Sequence, residues 1–274
     1  MRTEDIRQAA IASHDRTADK FVSWYDALKR NRFANAFVYG RSKIDALLDE
    51  VLSSLPKGAK VLDVGCGTGE HLHHAVERGF AAFGVEPAPA MLKVARANVP
   101  AAKVEQAVAT ELPFGDAQFD LVIMVEVLRY LDRADTEKAL AEARRVLKPG
   151  GQLFVTLVNR WALDGFYVLQ RARSLAKRRE FDERNPYCLF HTPASATRDL
   201  RGAGFDEVRI EGRLLAPIRI AYKLNQGFGG WLAGKLESLD DRLHRQAWTR
   251  PIAGHLIAIG RVPRKPRPRS RKAS

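Results

Sequence analysis

Apolar positions in the first part of the chain recur at helical spacing. In SKIDALLDEVLSSL (residues 42–55), Ile44, Leu47, Leu48, Val51, Leu52 and Leu55 share one side of a helix. Pro56-Lys57-Gly58 then breaks the pattern. From there the chain alternates short, continuous apolar runs with helical stretches. KVLDVG, FAAFGVE, KVEQAV, FDLVIMV and LKPGGQLFVTLV read as strands, and helices are expected near 70–78, 88–98 and 136–147 between them. Strands that are apolar throughout, each followed by a helix, belong to a parallel sheet covered on both faces.

The pattern loosens after Asn159. Residues 160–190 are rich in aromatic and basic side chains. A helix there places Ala162, Phe166, Leu169, Ala172 and Ala176 on one face, with Gln170, Arg171, Arg173, Lys177 and Arg178 mostly elsewhere, as in a helix lying in a membrane interface. TPASATRDLRGAGFDEVRIEG restores a helix–strand unit. WLAGKLESLDDRLHRQAW aligns Leu232, Leu236, Leu239 and Leu243 on one helical face, and GHLIAIGRV is the last strand. The expected division is therefore a helical lid (1–55), a cofactor-binding core (56–159), a basic aromatic insert (160–190), the rest of the domain (191–262) and a basic disordered tail (263–274).

AKVLDVGCGTGEH (residues 59–71) holds three glycines two residues apart. Glycine is costly to order, and is kept where the backbone turns left-handed or a ligand comes close. A strand, a glycine loop and a helix N-terminus together suit a nucleotide-like ligand. Glu86, ending the next strand, suits a pair of ribose hydroxyls. A dinucleotide loop of the form G-x-G-x-x-G needs glycine at position 70, where this chain has Glu70. An acid there repels a pyrophosphate, whereas Asp63 and Glu70 suit S-adenosylmethionine, which carries an ammonium and a sulfonium and no phosphate.

VLDVGCGTGE, GVEPAPAMLKVARAN, ATELPFGDAQFDLVIMVEVLRYL and EARRVLKPGGQLFVTLVN, in this order, resemble the motifs of class I S-adenosylmethionine-dependent methyltransferases. The likeness is to the group that includes ubiquinone- and menaquinone-biosynthesis enzymes. It implies an α/β, doubly wound, mostly parallel seven-stranded sheet with an antiparallel last strand. It also implies that Asp63, Gly65, Cys66, Gly67 and Gly69 line the methionine end of the cofactor. Glu86 would accept from the ribose, with Pro87 beside the adenine, and Met124, Val125 and Glu126 would close the other side. The family often has an acid where Val108 stands, so here adenine is expected against Val108 and the backbone near Ala109.

Candidates on the acceptor side are weaker: Arg129 and Tyr130 beyond the fourth strand, His191 before a later helix, and Tyr25 and Tyr39 in the lid. The family often has histidine where Arg129 stands, and no catalytic base is named. His71, His73 and His74 look like a metal cluster, but neighbouring histidines on a helix point different ways and nothing completes a zinc set, so no metal is expected.

Charge extends the picture to partners. The net charge is +13, and residues 261–274 hold seven Lys/Arg and no acid. Such segments favour anionic surfaces. IMVEVL lacks the Asn/Asp-Pro-Pro-aromatic cluster of adenine-amino methyltransferases, and no Pro-Cys nucleophile is present, so nucleic acid is disfavoured. Only Cys66 and Cys188 occur, no apolar leader opens the chain, and no run is long enough to span a bilayer. The expectation is a cytoplasmic enzyme, peripheral at the inner face of the membrane, that methylates a small hydrophobic or lipid-linked acceptor, chiefly on oxygen. A nucleic-acid enzyme and a non-catalytic cofactor-binding module are the alternatives.

Overall fold

The computed structural model describes residues 3–163, 167 and 187–264. Three helices, α1 (Thr3–Arg16), α2 (Ala18–Arg30) and α3 (Ala36–Ser53), precede β1 (Lys60–Val64). The chain then runs through α4 (Glu70–Glu77), β2 (Ala81–Val85), α5 (Pro89–Asn98), β3 (Lys103–Glu105) and β4 (Phe119–Met124). A 3₁₀ turn (Leu128–Tyr130), α6 (Arg133–Val146) and β5 (Leu147–Asn159) follow. After the insert come β6 (Phe190–His191), α7 (Pro193–Gly202), β7 (Asp206–Arg213), α8 (Ile218–Leu224), α9 (Gln226–Leu243) and β8 (His255–Arg261).

The sheet order is β3-β2-β1-β4-β5-β8-β7, with two-residue β6 paired to β5 off this path. That is one strand more than the seven expected, because β6 adds a short rung where the chain returns from the insert. β8 is antiparallel to both β5 and β7, and the rest is parallel. The Pro149-Gly150-Gly151 turn is absorbed into β5 as an irregularity, with Gly150 at φ +85.

Side chains alternate across the sheet and build two cores. Leu62, Val64, Val122 and Met124 face one cluster with Leu140 of α6 and Leu200 of α7. Val61, Leu121, Ile123 and Phe154 face the other, with Leu47 and Leu48 of α3, Leu72 of α4 and Ala95 of α5. Burial on both faces explains why these strands read as continuous apolar runs. Helix starts are held locally: Asn35 accepts from the Val38 N–H at 3.0 Å, and Thr192 and Ser195 form a capping box.

On α9 the leucine pattern misplaces the inner face. Leu239 is half exposed, whereas Gly229, Ala233 and Asp240 are buried. Asp240 turns inward because it accepts from Arg213 Nη1 at 3.2 Å and from the Leu215 N–H at 3.0 Å. The expected insert helix and the tail from residue 265 onward lie outside the described residues. No helix among the described residues is long and apolar enough to cross a membrane.

Candidate functional site

β1, β2 and β4 are parallel, so the loops that follow them meet at one edge of the sheet. A cavity of about 380 Å³ opens there, within the usual range for small-molecule sites. Helices α1 and α2 lie across it, contributing Arg7, His14, Lys20, Phe21, Trp24 and Tyr25 to its wall.

The glycine loop forms the floor. Gly65, Gly67 and Gly69 all sit at left-handed φ (+71, +56 and +93). A Cβ on Gly65 would lie 2.7 Å from Val127 Cγ2, so that glycine is required by packing. A Cβ on Gly67 would meet nothing within 4 Å; that glycine keeps space open on the cavity side. The loop is pinned by the Gly65 and Cys66 N–H groups, which donate to the Val85 carbonyl at 2.8 and 3.0 Å.

Glu86 closes the end of β2. It is 6% exposed, and its two oxygens accept from the N–H groups of Gly67 and Ala88, each at 2.9 Å. Burial pushes its pKa up to about 7 against the pull of those two donors. A carboxylate half-ionised near neutral pH, facing an open cavity, suits a ligand that supplies hydroxyl donors. Pro87, Met91, Val108 and Ala109 make the adjoining apolar wall.

On the far side Val125, Glu126, Arg129 and Tyr130 line the cavity. Glu126 holds φ +60, its N–H donates to Thr156 Oγ1 at 2.7 Å, and Arg129 donates to its carboxylate at 2.6 Å. Burial alone would raise its pKa, but the charges of His255 and Arg129 outweigh that and hold it at about 2. His14 faces this group from α1. Its ring meets Tyr130 edge-on at 4.8 Å, and Nδ1 lies 2.8 Å from the Ala10 carbonyl oxygen. Burial lowers its pKa, so the ring is neutral near pH 7.

Nine of the twelve expected cofactor residues lie on the cavity wall: Gly65, Cys66, Gly67, Glu86, Pro87, Val108, Ala109, Val125 and Glu126. Three do not. Met124 is fully buried because strand alternation turns it into the core beneath α6. Gly69 packs against Ala95 and Val99 of α5. Asp63 lies behind the wall, its Oδ2 3.3 Å from His71 Nδ1, and His71 in turn meets Arg41 and Asp45.

Of the acceptor-side candidates, Tyr25, Arg129 and Tyr130 reach the cavity, and Tyr39 and His191 do not. Two residues along α3 is roughly 200° of rotation, so with Arg41 facing the cavity Tyr39 faces away, stacked on Phe33 and packed with Leu214 and Tyr222. His191 is held in β6 beside Asn159, its Nε2 3.6 Å from Asp199, where burial drives its pKa down to about 4. His73 turns away from His71, toward Glu77 at 3.3 Å.

Sequence reasoning passed over His14. The available signal was its i+4 step from Ala10, itself i+4 from Ile6, which places all three on one face of α1.

Residues 62–155 match the profile of the methyltransferase domain family. An uncharacterized methyltransferase of Synechocystis is 37% identical over 141 residues, 52% of this chain and 66% of that protein. A ubiquinone biosynthesis O-methyltransferase of Azorhizobium caulinodans is 28% identical over 172 residues, 61% of this chain and 67% of that protein. For the Synechocystis protein, and for mycobacterial relatives that are 40% identical over 100 residues, the aligned stretch spans about two-fifths to two-thirds of their own length. Among solved structures, a Thermotoga maritima S-adenosylmethionine-dependent methyltransferase, described as a possible histamine N-methyltransferase, superposes with a TM-score of 0.57 at 23% identity. That superposition covers 92% of this chain and 98% of the other. The ordered motifs, the sheet topology and these matches agree: residues 62–155 form a methyltransferase domain, set in the fold of solved S-adenosylmethionine-dependent methyltransferases.

Proposed function

We propose that this protein transfers the methyl group of S-adenosylmethionine to an oxygen of a small hydrophobic or lipid-linked acceptor, met at an anionic membrane surface. The observation that carries the reading is Glu86, a buried carboxylate beside the open side of Gly67, in the same cavity as an apolar wall of Pro87, Met91 and Val108. Glu86 would hold the ribose hydroxyls, the wall the adenine, and the loop of Gly65 to Gly67 the methionine end. When bound, the sulfonium supplies the electrophilic methyl group.

The acceptor space lies between α1 and the 3₁₀ turn, where His14, Arg129 and Tyr130 converge. A backbone carbonyl only accepts, so the 2.8 Å contact to Ala10 places the ring proton of His14 on Nδ1. Nε2 is then a lone pair, free to take the proton of an acceptor hydroxyl as its oxygen forms the bond to carbon. Phe21, Trp24 and Phe37 give this part of the cavity an aromatic wall, against which a hydrophobic acceptor can be held in line with the methyl group. The oxygen preference is supported by the likeness to a ubiquinone biosynthesis O-methyltransferase, while the Thermotoga protein, described as a possible histamine N-methyltransferase, makes nitrogen the second reading.

The test is to incubate the purified protein with methyl-labelled donor and fractionated lysate. Label in the lipid extract, as an alkali-stable ether, is the expected result. Label confined to nucleic acid, or no transfer by protein that binds the donor, would overturn it.

A further inference from the structure

Between the end of β7 and the start of β8 the chain projects a helical hairpin, α8 and α9, and four large apolar side chains around its turn stand in solvent, with Leu239 farther along α9. Leu224 is 76% exposed, Trp231 59%, Phe228 47% and Ile220 45%. Ile220 and Leu224 are one turn apart on α8, and Phe228 and Trp231 are one turn apart on α9 with their rings stacked at 5.9 Å. The hairpin does not need them for its own packing. Gly229 admits the Tyr222 ring, Asn225 caps α9 by accepting from the Phe228 N–H at 2.9 Å, and Tyr222 Oη donates to the Phe33 carbonyl at 3.0 Å. Large apolar groups clustered in water without a packing role mark an interaction surface.

We propose that this hairpin is where the protein docks on an anionic bilayer, with its aromatic and aliphatic tip in the headgroup region. Charge selects that partner. From Gly212 to Leu236 the sequence has no Asp or Glu, and it carries Arg213, Arg219, Lys223 and Lys235, of which Arg213 is buried against Asp240 and Asp241. Lys223 and Lys235 are exposed beside the apolar tip. The end of α2 and the α2–α3 loop, which touches the hairpin through Phe33, add exposed Arg30 and Arg32; Arg32 shares Glu237 with Lys43. Tryptophan and phenylalanine at the tip, flanked by basic residues, form the pattern of an interfacial helix. Lys and Arg close to an anionic leaflet add attraction that salt screens.

Topology places this surface at the catalytic end. β7 runs parallel to β1, because both β5 and β7 are antiparallel to β8. The hairpin therefore leaves the same sheet edge at which the cavity opens. Arg219 of α8 lies 3.2 Å from His255, and His255 lies 3.4 Å from Glu126 on the cavity wall. The basic tail, by contrast, starts from the other edge, where the Gly150 N–H donates to the Val262 carbonyl at 2.9 Å. Docking through the hairpin turns the cavity toward the interface. This deepens the reading above, and the link to a lipid-linked acceptor rests on it.

The experiment uses the full chain with Leu224→Cys labelled by a nitrobenzoxadiazole fluorophore, which is selective because Cys66 and Cys188 are buried. Phosphatidylglycerol vesicles should shift its emission to the blue, and phosphatidylcholine vesicles should not. In the unlabelled chain, Phe228→Ser with Trp231→Ser should lower partition onto phosphatidylglycerol vesicles by about tenfold or more, with melting temperature and donor affinity retained. The proposal fails if the fluorophore stays water-like while the protein sediments with vesicles, which would assign docking to the insert or the tail. It fails equally if the double variant partitions like the parent, or if the blue shift occurs without lipid in a species of twice the mass, which marks an interface between copies. Vesicle binding is read without donor or acceptor, so a missing methyl transfer sinks the proposed reaction and leaves this result standing.

Discussion

Nδ1 of His14 sits 2.8 Å from the carbonyl oxygen of Ala10, one turn back along α1, and this contact leaves Nε2 as the only ring nitrogen able to take a proton from the cavity. His14→Gln keeps the volume of the ring's near half and removes the base. Rate constants for methyl transfer to the proposed acceptor should fall by about 10²- to 10⁴-fold, the usual range for a positioned base. Donor affinity should hold, because Glu86 and the glycine loop are untouched. The parent's rate should also decline in acid as His14 protonates, and the variant's should lose that limb. A variant with parental rate and pH profile removes His14 from the chemistry.

Glu86 gives a prediction that needs no acceptor. Ribose hydroxyls donate to its ionised form, so only ionised Glu86 gains that contact. With a pKa of about 7, mostly carboxylate is present at pH 8 and mostly carboxylic acid at pH 6. Donor affinity measured by calorimetry should therefore weaken by about tenfold between pH 8 and pH 6. Glu86→Gln should bind weakly at both, with the pH dependence gone. Equal parental affinity at the two pH values would place the sugar elsewhere.

Two glycines separate space for a ligand from space for packing. Gly67→Ala meets no neighbour within 4 Å, so its cost to folding is the left-handed backbone alone, about 1–2 kcal/mol. Donor affinity should fall by much more than that strain explains. Gly229→Ala brings a Cβ to 2.5 Å from the Tyr222 ring and 2.7 Å from its Cα, which no rotamer change relieves. Overpacking there should cost about 1–3 kcal/mol in urea unfolding, with donor affinity unchanged. If Gly67→Ala binds the donor normally, the open side of the loop is not the ligand's.

The parts of this molecule that were legible beforehand are those written locally. The strand runs around Asp63 and Ile123 are apolar because both faces of the sheet are covered, and three glycines after β1 announce a loop whatever lies beyond it. What could not be read depends on how a helix is turned about its own axis. Tyr39 and Arg41 are both plausible toward a ligand, and only the packing of Tyr39 on Phe33 and Leu214 decides between them. Leu239 looks like core and Asp240 like surface, yet the pairing of Asp240 with Arg213 rotates α9 the other way. His14 meets Tyr130 only after α1 folds across the sheet edge, a contact with no local signature. Met124 was misplaced for a simpler reason: in a strand the next residue along faces the opposite side, and Val125 holds the wall instead.

The Arg41–Asp45 pair supports the wall from behind and sets a last prediction. Arg41 is 8% exposed, and its Nε donates to Asp45 Oδ1 at 2.9 Å, with His71 Nε2 at 3.3 Å from the same oxygen. Burial alone would raise the Asp45 pKa, but the charges of Arg41 and His71 hold it at about 2. A folded-state pKa below the unfolded value contributes stability that is present above about pH 4 and is lost as pH falls toward 2. Asp45→Asn leaves the buried guanidinium short of its counter-charge, and breaking such a pair costs about 3–5 kcal/mol. In urea unfolding at pH 7 the variant should be less stable by about that amount. At pH 3 the gap should narrow, because the unfolded parent then takes up a proton on Asp45 that the folded parent still holds off. Arg41 lines the cavity, so donor affinity should drop as well. A gap of the same size at both pH values would mean that the loss comes from hydrogen-bond geometry, with the charge of Asp45 playing no part.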